Sequence, residues 1–280
     1  MEIKADTVKK LRDATGAGMM DCKKALMKAE GDFAAAEKIL KEMGLAAVAK
    51  RSDRATDNGR VFVRIEDGKA VMLELSCETD FVARNADFVK LGDDMTKVII
   101  EKGYTEPNDE LKAMVDALIS VIKENMHLKR FVALDVPAGT YVSSYIHGEG
   151  SLGVMVELKS DRPEAFQNEA VKEFAHDCAL HVAAFTPMFL SASTVDPAYT
   201  AEQTEIFRAQ VAGMDKPEKV LEGIVRGKVN KLYSEVCFLQ QPFVKDDKVS
   251  VEQKMNALGK EIGAKLEIVS FKFYRAGAEA

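Results

Sequence analysis

Tryptophan is absent from the chain, cysteine occurs four times and proline seven times in 280 residues, and no apolar stretch approaches the ~20 residues of a membrane-spanning helix. The missing stretch excludes a helical membrane anchor. The four cysteines, Cys22, Cys77, Cys178 and Cys237, are scattered along a chain too long to need staples. Free thiols in a reducing, cytoplasmic setting are therefore expected, rather than a disulfide framework. A basic excess is missing too: 45 acidic against 39 basic side chains give a formal net charge of −6. That balance argues against direct, general nucleic-acid binding, although it leaves room for a local basic patch. The opening Met1-Glu2-Ile3-Lys4-Ala5-Asp6 is acidic and amphipathic, so no signal peptide is expected. What is present is an ordinary globular mixture, 47% hydrophobic and 30% charged, long enough for about two domains of ~150 residues.

Constellations for bond chemistry are missing as well. No GxxxxGK[ST] loop occurs, and TGAG at Thr15 to Gly18 joins two helical patterns without following a strand. His176 and His181 stand five apart and share no helix face in the manner of a zinc pair, so core or interface positions are expected for them. No GxSxG elbow appears, and Cys22, although followed by Lys23-Lys24, lies on an apolar stripe. The chain is expected to be no enzyme and to need neither cofactor nor metal.

Periodicity divides the chain. Residues 1–50 read as three short helices: one with Val8 and Leu11 stopped at Gly16, one with Met19, Cys22, Leu26 and Ala29 on a stripe, and one capped by Asp32 and closed by Gly44. Residues 51–58 lie in a polar stretch without periodicity and predict a linker. From Gly59 the period switches to two, with Val61, Val63 and Ile65, a hairpin turn at Asp67-Gly68 and a return strand through Cys77. Helices through Phe88 to Val98 and Leu111 to Ile122 follow, then a strand over Phe131 to Leu134. The plan restarts at Thr140: AVMLELS (Ala70 to Ser76) and GVMVELK (Gly153 to Lys159) nearly coincide, and each precedes a loop and a long helix. An α+β fold with two similar antiparallel subdomains, 59–139 and 140–280, is expected. A helical hairpin at about 198–232 interrupts the second. Its apolar stripe is open to a homodimer, to its own core or to a partner. Ser250 and Gln253 predict a capping box for a helix ending near Gly263, and Leu266 to Phe273 a last strand.

Two segments stand out. Met19 and Met20 sit at a helix start ahead of Lys23 and Lys24, an adaptable contact surface unless Met19 belongs to the core. At Thr79-Asp80-Phe81-Val82 a buried strand hands over to a helix. Thr79 or Asp80 then caps that helix with Phe81 in the core, or Phe81 projects. The second copy carries Asp161-Arg162-Pro163 in the corresponding stretch, without an aromatic, so the corner itself does not demand Phe81.

These segments carry a resemblance. TGAGMMDCKKAL (Thr15 to Leu26) resembles the N-terminal signature of the elongation factor Ts family, and CETDFVARN (Cys77 to Asn85) is similar to its second signature, usually written with Gln where this chain has Glu78. SYxHG at Ser144 to Gly148, HVAA with Pro187 beyond it, GKxxK at Gly227 to Lys231 and QPF at Gln241 to Phe243 follow in the family's order. The resemblance implies a ubiquitin-associated-like three-helix module ahead of the paired core, and a nucleotide exchange factor for the translation GTPase elongation factor Tu. It implies that Met19, Met20 and Lys23 contact that partner's GTPase domain. Thr79, Asp80, Phe81 and Val82 would approach its Mg2+ and nucleotide, and His147 would contribute from the second subdomain. Three departures are noted: Glu78 itself, a long stretch from Lys159 to Glu169, and an end at FKFYRAGAEA, short of the further tail some members carry. The competing readings are an adaptor for another partner and an enzyme built on the core.

Overall fold

The structure, a computed structural model, describes residues 3–278, apart from the side chains of Leu45 and Ala47. Met1-Glu2 of the acidic opening and the terminal Glu279-Ala280 lie outside the described residues. Among the described residues no helix is long and apolar enough to cross a membrane. The chain divides into two compact units: one holds the residues up to Asp135 with Gly148–Leu152 and the segment from Tyr274, the other Val136–His147 and Gly153–Phe273.

The first unit begins with α1 (Ala5–Thr15), α2 (Met19–Lys28) and α3 (Phe33–Ala49). Gly16 ends α1 in the left-handed region, and the Asp32 carboxylate accepts the Ala35 N–H at 2.9 Å to start α3. Val8, Leu11, Cys22, Ala25, Leu26, Ala36 and Leu40 form the buried centre. Met19, left open by the sequence between core and contact surface, lies outside this core, 43% exposed. One expectation needs correction here. Gly44 does not close α3 but sits inside it, where an added Cβ would meet Ser120 Oγ at 2.4 Å. Glycine serves close helix approach at that point, not termination.

Next come β1 (Asn58–Glu66) and β2 (Lys69–Cys77), then α4 (Asp80–Ala83), α5 (Ala86–Lys102), α6 (Asp109–Ile122) and β3 (Met126–Asp135). Asp67 and Gly68 both have positive φ, 52° and 71°, the geometry of the tight turn that matches strand twist. The sheet is antiparallel with β2 central and buried from Ala70 to Cys77. β3 starts five residues ahead of the expected Phe131 because it pairs along the whole of β2, through an irregularity at Glu74/Leu75. Phe62, Leu73, Leu75, Phe88, Met95, Ile99, Leu111 and Ile119 make one apolar cluster with the helices. Glu74 is fully buried, yet it is satisfied by Arg130 at 2.8 Å, Lys129 at 3.8 Å and the Gly277 N–H at 3.1 Å.

The second unit runs through β4 (Thr140–His147), β5 (Leu152–Ser160), a 3-10 turn (Pro163–Gln167), α7 (Glu169–Phe185), α8 (Pro197–Val211) and α9 (Glu218–Val236). It continues with β6 (Pro242–Phe243), β7 (Asp246–Ser250), α10 (Val251–Ile262) and β8 (Leu266–Arg275). β5 is the central strand of β4-β5-β8, and the short connection from β4 makes that pair antiparallel. The hairpin of α8 and α9 starts at Pro197, where Asp196 accepts the Ala198 N–H, and α9 runs on to Val236. Ser250 and Gln253 cap α10 reciprocally, as their spacing predicts. His181 is a core residue: its Nε2–H donates to Gln241 Oε1 at 2.9 Å and its Nδ1 accepts the Val244 N–H at 3.2 Å. Burial holds that imidazole below its ordinary pKa, with the Gln241 bond opposing. One detail differs from the sequence reading. The turn after β5 does contain an aromatic, Phe166, stacked on Tyr141 at 5.5 Å.

Candidate partner-contact site

Leaving the buried end of β2, the chain turns sharply. The Cys77 thiol donates to the Thr79 carbonyl at 3.2 Å, and burial, helped by the Glu124 charge, pushes its pKa up to about 12. Thr79 has extended backbone and caps α4, its hydroxyl accepting the Val82 N–H at 3.3 Å. The same hydroxyl donates to Glu124 at 2.9 Å, and the Thr79 N–H donates to Glu124 at 3.1 Å. Val82 is 7% exposed and belongs to the core, whereas its neighbour Phe81 is 81% exposed. The corner thus anchors one apolar side chain and turns the next one out to water. A phenyl ring held out in this way contributes nothing to the core.

Charge around the ring is modest. Asp80 lies 3.5 Å from Arg84, which also approaches Glu149 at 3.8 Å, both exposed pairs of small energetic weight. Glu78 faces the other way: its carboxylate accepts the Asn125 N–H at 2.6 Å and pairs with Arg54 at 3.3 Å, while its carbonyl accepts from Asn58. Glu78 therefore ties down the segment after α3.

On α2, Cys22, Ala25 and Leu26 are buried and Lys23 is exposed, with Met20 at 65% and Met27 at 59% exposure. Met20, Lys23 and Met27 follow helical spacing along one exposed stripe. Met27 escaped the sequence reading, although its position seven after Met20 is a usable signal. His147, at the end of β4, is exposed and its Nδ1 lies 2.8 Å from the Tyr145 hydroxyl. Thr79 to Val82 are thus gathered on one turn, Met19, Met20 and Lys23 on one helix, and His147 belongs to the other unit. Among the described residues no group of three or more His, Cys, Asp or Glu side chains is placed to hold a metal ion.

Comparison with known proteins places the sequence in a family. The sequence profile of the family described as Elongation factor TS matches residues 78–278. A protein of Treponema denticola named Elongation factor Ts is 50% identical, the match covering 99% of each chain. Like-named proteins of Treponema pallidum (strain Nichols) and Borrelia hermsii are 44% and 42% identical, over 100% and 99% of this chain and all of theirs.

Proposed function

This chain belongs to the elongation factor Ts family, and on that premise we propose that it is a guanine-nucleotide exchange factor that binds elongation factor Tu carrying GDP and promotes GDP release during translation elongation. The observation that carries the mechanism is Phe81, 81% exposed beside a buried Val82 on a capped turn. An aromatic side chain presented on a fixed corner enters a partner at small entropic cost, since it has few rotamers to lose. Asp80 and Phe81 enter the region of the partner's Mg2+ and nucleotide and disturb it. Met19, Met20 and Lys23 of the N-terminal module hold the partner's GTPase domain, and His147 adds a contact from the second unit.

Linkage supplies the driving force. A nucleotide bound with nanomolar Kd is held by about 12 kcal/mol. A factor that binds the nucleotide-free form more tightly weakens nucleotide binding by the same coupling energy. No bond is made or broken in this step, so no acid, base or nucleophile is called for. GTP then enters by mass action and expels the factor.

The test is release of a fluorescent GDP analogue from elongation factor Tu at saturating factor, for wild type and Phe81→Ala. Fast release by wild type and a slowing of about tenfold or more in the variant, about 1.4 kcal/mol per decade, supports the wedge. Equal release by both returns Phe81 to a bystander. No acceleration by folded wild type overturns the exchange function and favours an adaptor with another partner.

A further inference from the structure

We propose that Glu124 is a positioning residue for Phe81, acting through Thr79, an inference that rests on the exchange reading above. The turn from α6 into β3 begins at Lys123, whose φ of 70° is unusual for a residue with a side chain. Such backbone persists only where its surroundings hold it. Here it turns three successive side chains to three different places. Lys123 Nζ comes within 3.9 Å of Asp21 on α2. Glu124 takes both the N–H and the hydroxyl proton of Thr79, at 3.1 and 2.9 Å. Asn125, 1% exposed, donates to the carbonyls of Ser52 and Arg54 at 3.3 and 2.7 Å.

The chemistry of the hydroxyl makes Glu124 specific. Thr79 Oγ1 has one proton and two lone pairs. With the proton committed to Glu124, a lone pair faces the Val82 N–H and closes the cap of α4. α4 is only four residues long, so it has no helical propagation to keep it formed without that cap. Phe81 stands inside the turn that the cap closes. The second copy of the repeat supports this independently. There the residue at the place of Thr79 is Arg162, its turn has no side-chain cap, and no exposed ring needs to be held.

Because the chain contains no tryptophan, Phe81→Trp creates a sole indole reporter at the ring's own position. In that background Glu124→Ala is expected to increase the fast-decaying part of the Trp anisotropy while far-UV circular dichroism keeps its thermal midpoint. In the Phe81 chain, Glu124→Ala slows GDP release at saturating factor by about tenfold, the weight of one charge-assisted hydrogen bond, and Glu124→Gln, with one acceptor oxygen left, falls between. Added to Phe81→Ala, Glu124→Ala slows release no further, since the ring it positions is gone. Unchanged anisotropy, a full tenfold added to Phe81→Ala, or a wild-type rate in Glu124→Ala each overturns the positioning role and leaves the exchange reading standing. Failure of wild type itself to accelerate release overturns the exchange reading, and the anisotropy still decides whether Glu124 holds the corner.

Discussion

The two copies of the strand-turn-helix unit keep one register, 83 positions apart: Glu74 meets Glu157 on the central strands, and Asn85 meets Asn168 at the caps of two 17-residue helices. The buried positions correspond residue by residue, Phe88 with Val171, Leu91 with Phe174, Met95 with Cys178 and Ile99 with Val182. Even the turns agree in their anchor, since Val82 and Ala165 are each 7% exposed. Where the copies part is one residue earlier. Phe81 corresponds to Glu164, and Thr79, the cap, to Arg162. The lesson is that a common scaffold fixes the anchor and the helix start, and the side chain before the anchor is free to be assigned to a task. The stretch from Lys159 to Glu169, expected to be long, has the same length as its counterpart in the first copy.

The largest effects test whether the shared positions are equivalent in energy as well as in place. Phe88→Ala should cost about 3–5 kcal/mol in urea unfolding, whereas Val171→Ala, which removes far fewer buried atoms, should cost about 2 kcal/mol. Equal costs would mean that the two cores are not packed as the register implies. Glu74 and Glu157 differ in their partners: the first is fully buried among Arg130, Lys129 and the Gly277 N–H, the second accepts from Ser270 at 2.9 Å. Breaking a buried ion pair costs about 3–5 kcal/mol. Arg130 and Lys129 side chains are 27% exposed and regain water, so Glu74→Ala is expected at about 2 kcal/mol. Glu157→Ala loses one hydrogen bond to a half-buried carboxylate, about 1.5 kcal/mol.

A swap at the divergent position separates fold from task. Phe81→Glu makes the first corner read like the second. It should leave stability within about 0.5 kcal/mol, as an exposed change does, while GDP release slows by about tenfold or more. Glu164→Phe, the reverse change, should alter neither quantity. A destabilised Phe81→Glu chain would show that the ring packs on its own protein and would dissolve the contrast between the copies.

Much of this comparison was legible in the sequence, for a physical reason. Burial on both faces made β2 and β5 read as near-continuous apolar runs, so AVMLELS and GVMVELK declared the repeat. Caps and turns built from neighbours in sequence, such as Ser250 with Gln253 and Asp67-Gly68, were equally visible. The exposure of Phe81 was not. Alternation and helical periodicity both end at Cys77, and a four-residue turn is too short to show which of two adjacent apolar residues is anchored. The hold of Glu124 on Thr79 joins residues 45 apart, and no local pattern encodes such a pair. Gly44 misled because a glycine near a helix end signals termination, whereas here it makes room for Ser120 on another helix.

The smallest expected effect lies where the two long helices end. Both α5 and α7 stop at a left-handed residue, Gly103 with φ 66° and Thr186 with φ 43°. After Gly103 the Tyr104 N–H donates to the Ile99 carbonyl at 3.1 Å, closing the end with a second bond. After Thr186 comes Pro187, which has no N–H, so α7 ends on the single bond from Thr186 to the Val182 carbonyl at 2.9 Å. A β-branched residue in this conformation carries about 1–2 kcal/mol of strain. Glycine removes it but adds about 0.5–1 kcal/mol of chain entropy to the unfolded state. Thr186→Gly should therefore stabilise the second unit by about 0.5 kcal/mol. Thr186→Asn tolerates the left-handed region without the full freedom of glycine, and should gain somewhat more. Gly103→Ala runs the comparison backwards: nothing lies within 4 Å of the added Cβ, so about 1–2 kcal/mol of backbone strain, less about 0.5–1 kcal/mol of chain entropy recovered, leaves an expected loss of about 0.5–1 kcal/mol. Should Thr186→Gly destabilise instead, the strain at Thr186 is offset by a contact of its side chain, and the two helix ends are held by different means.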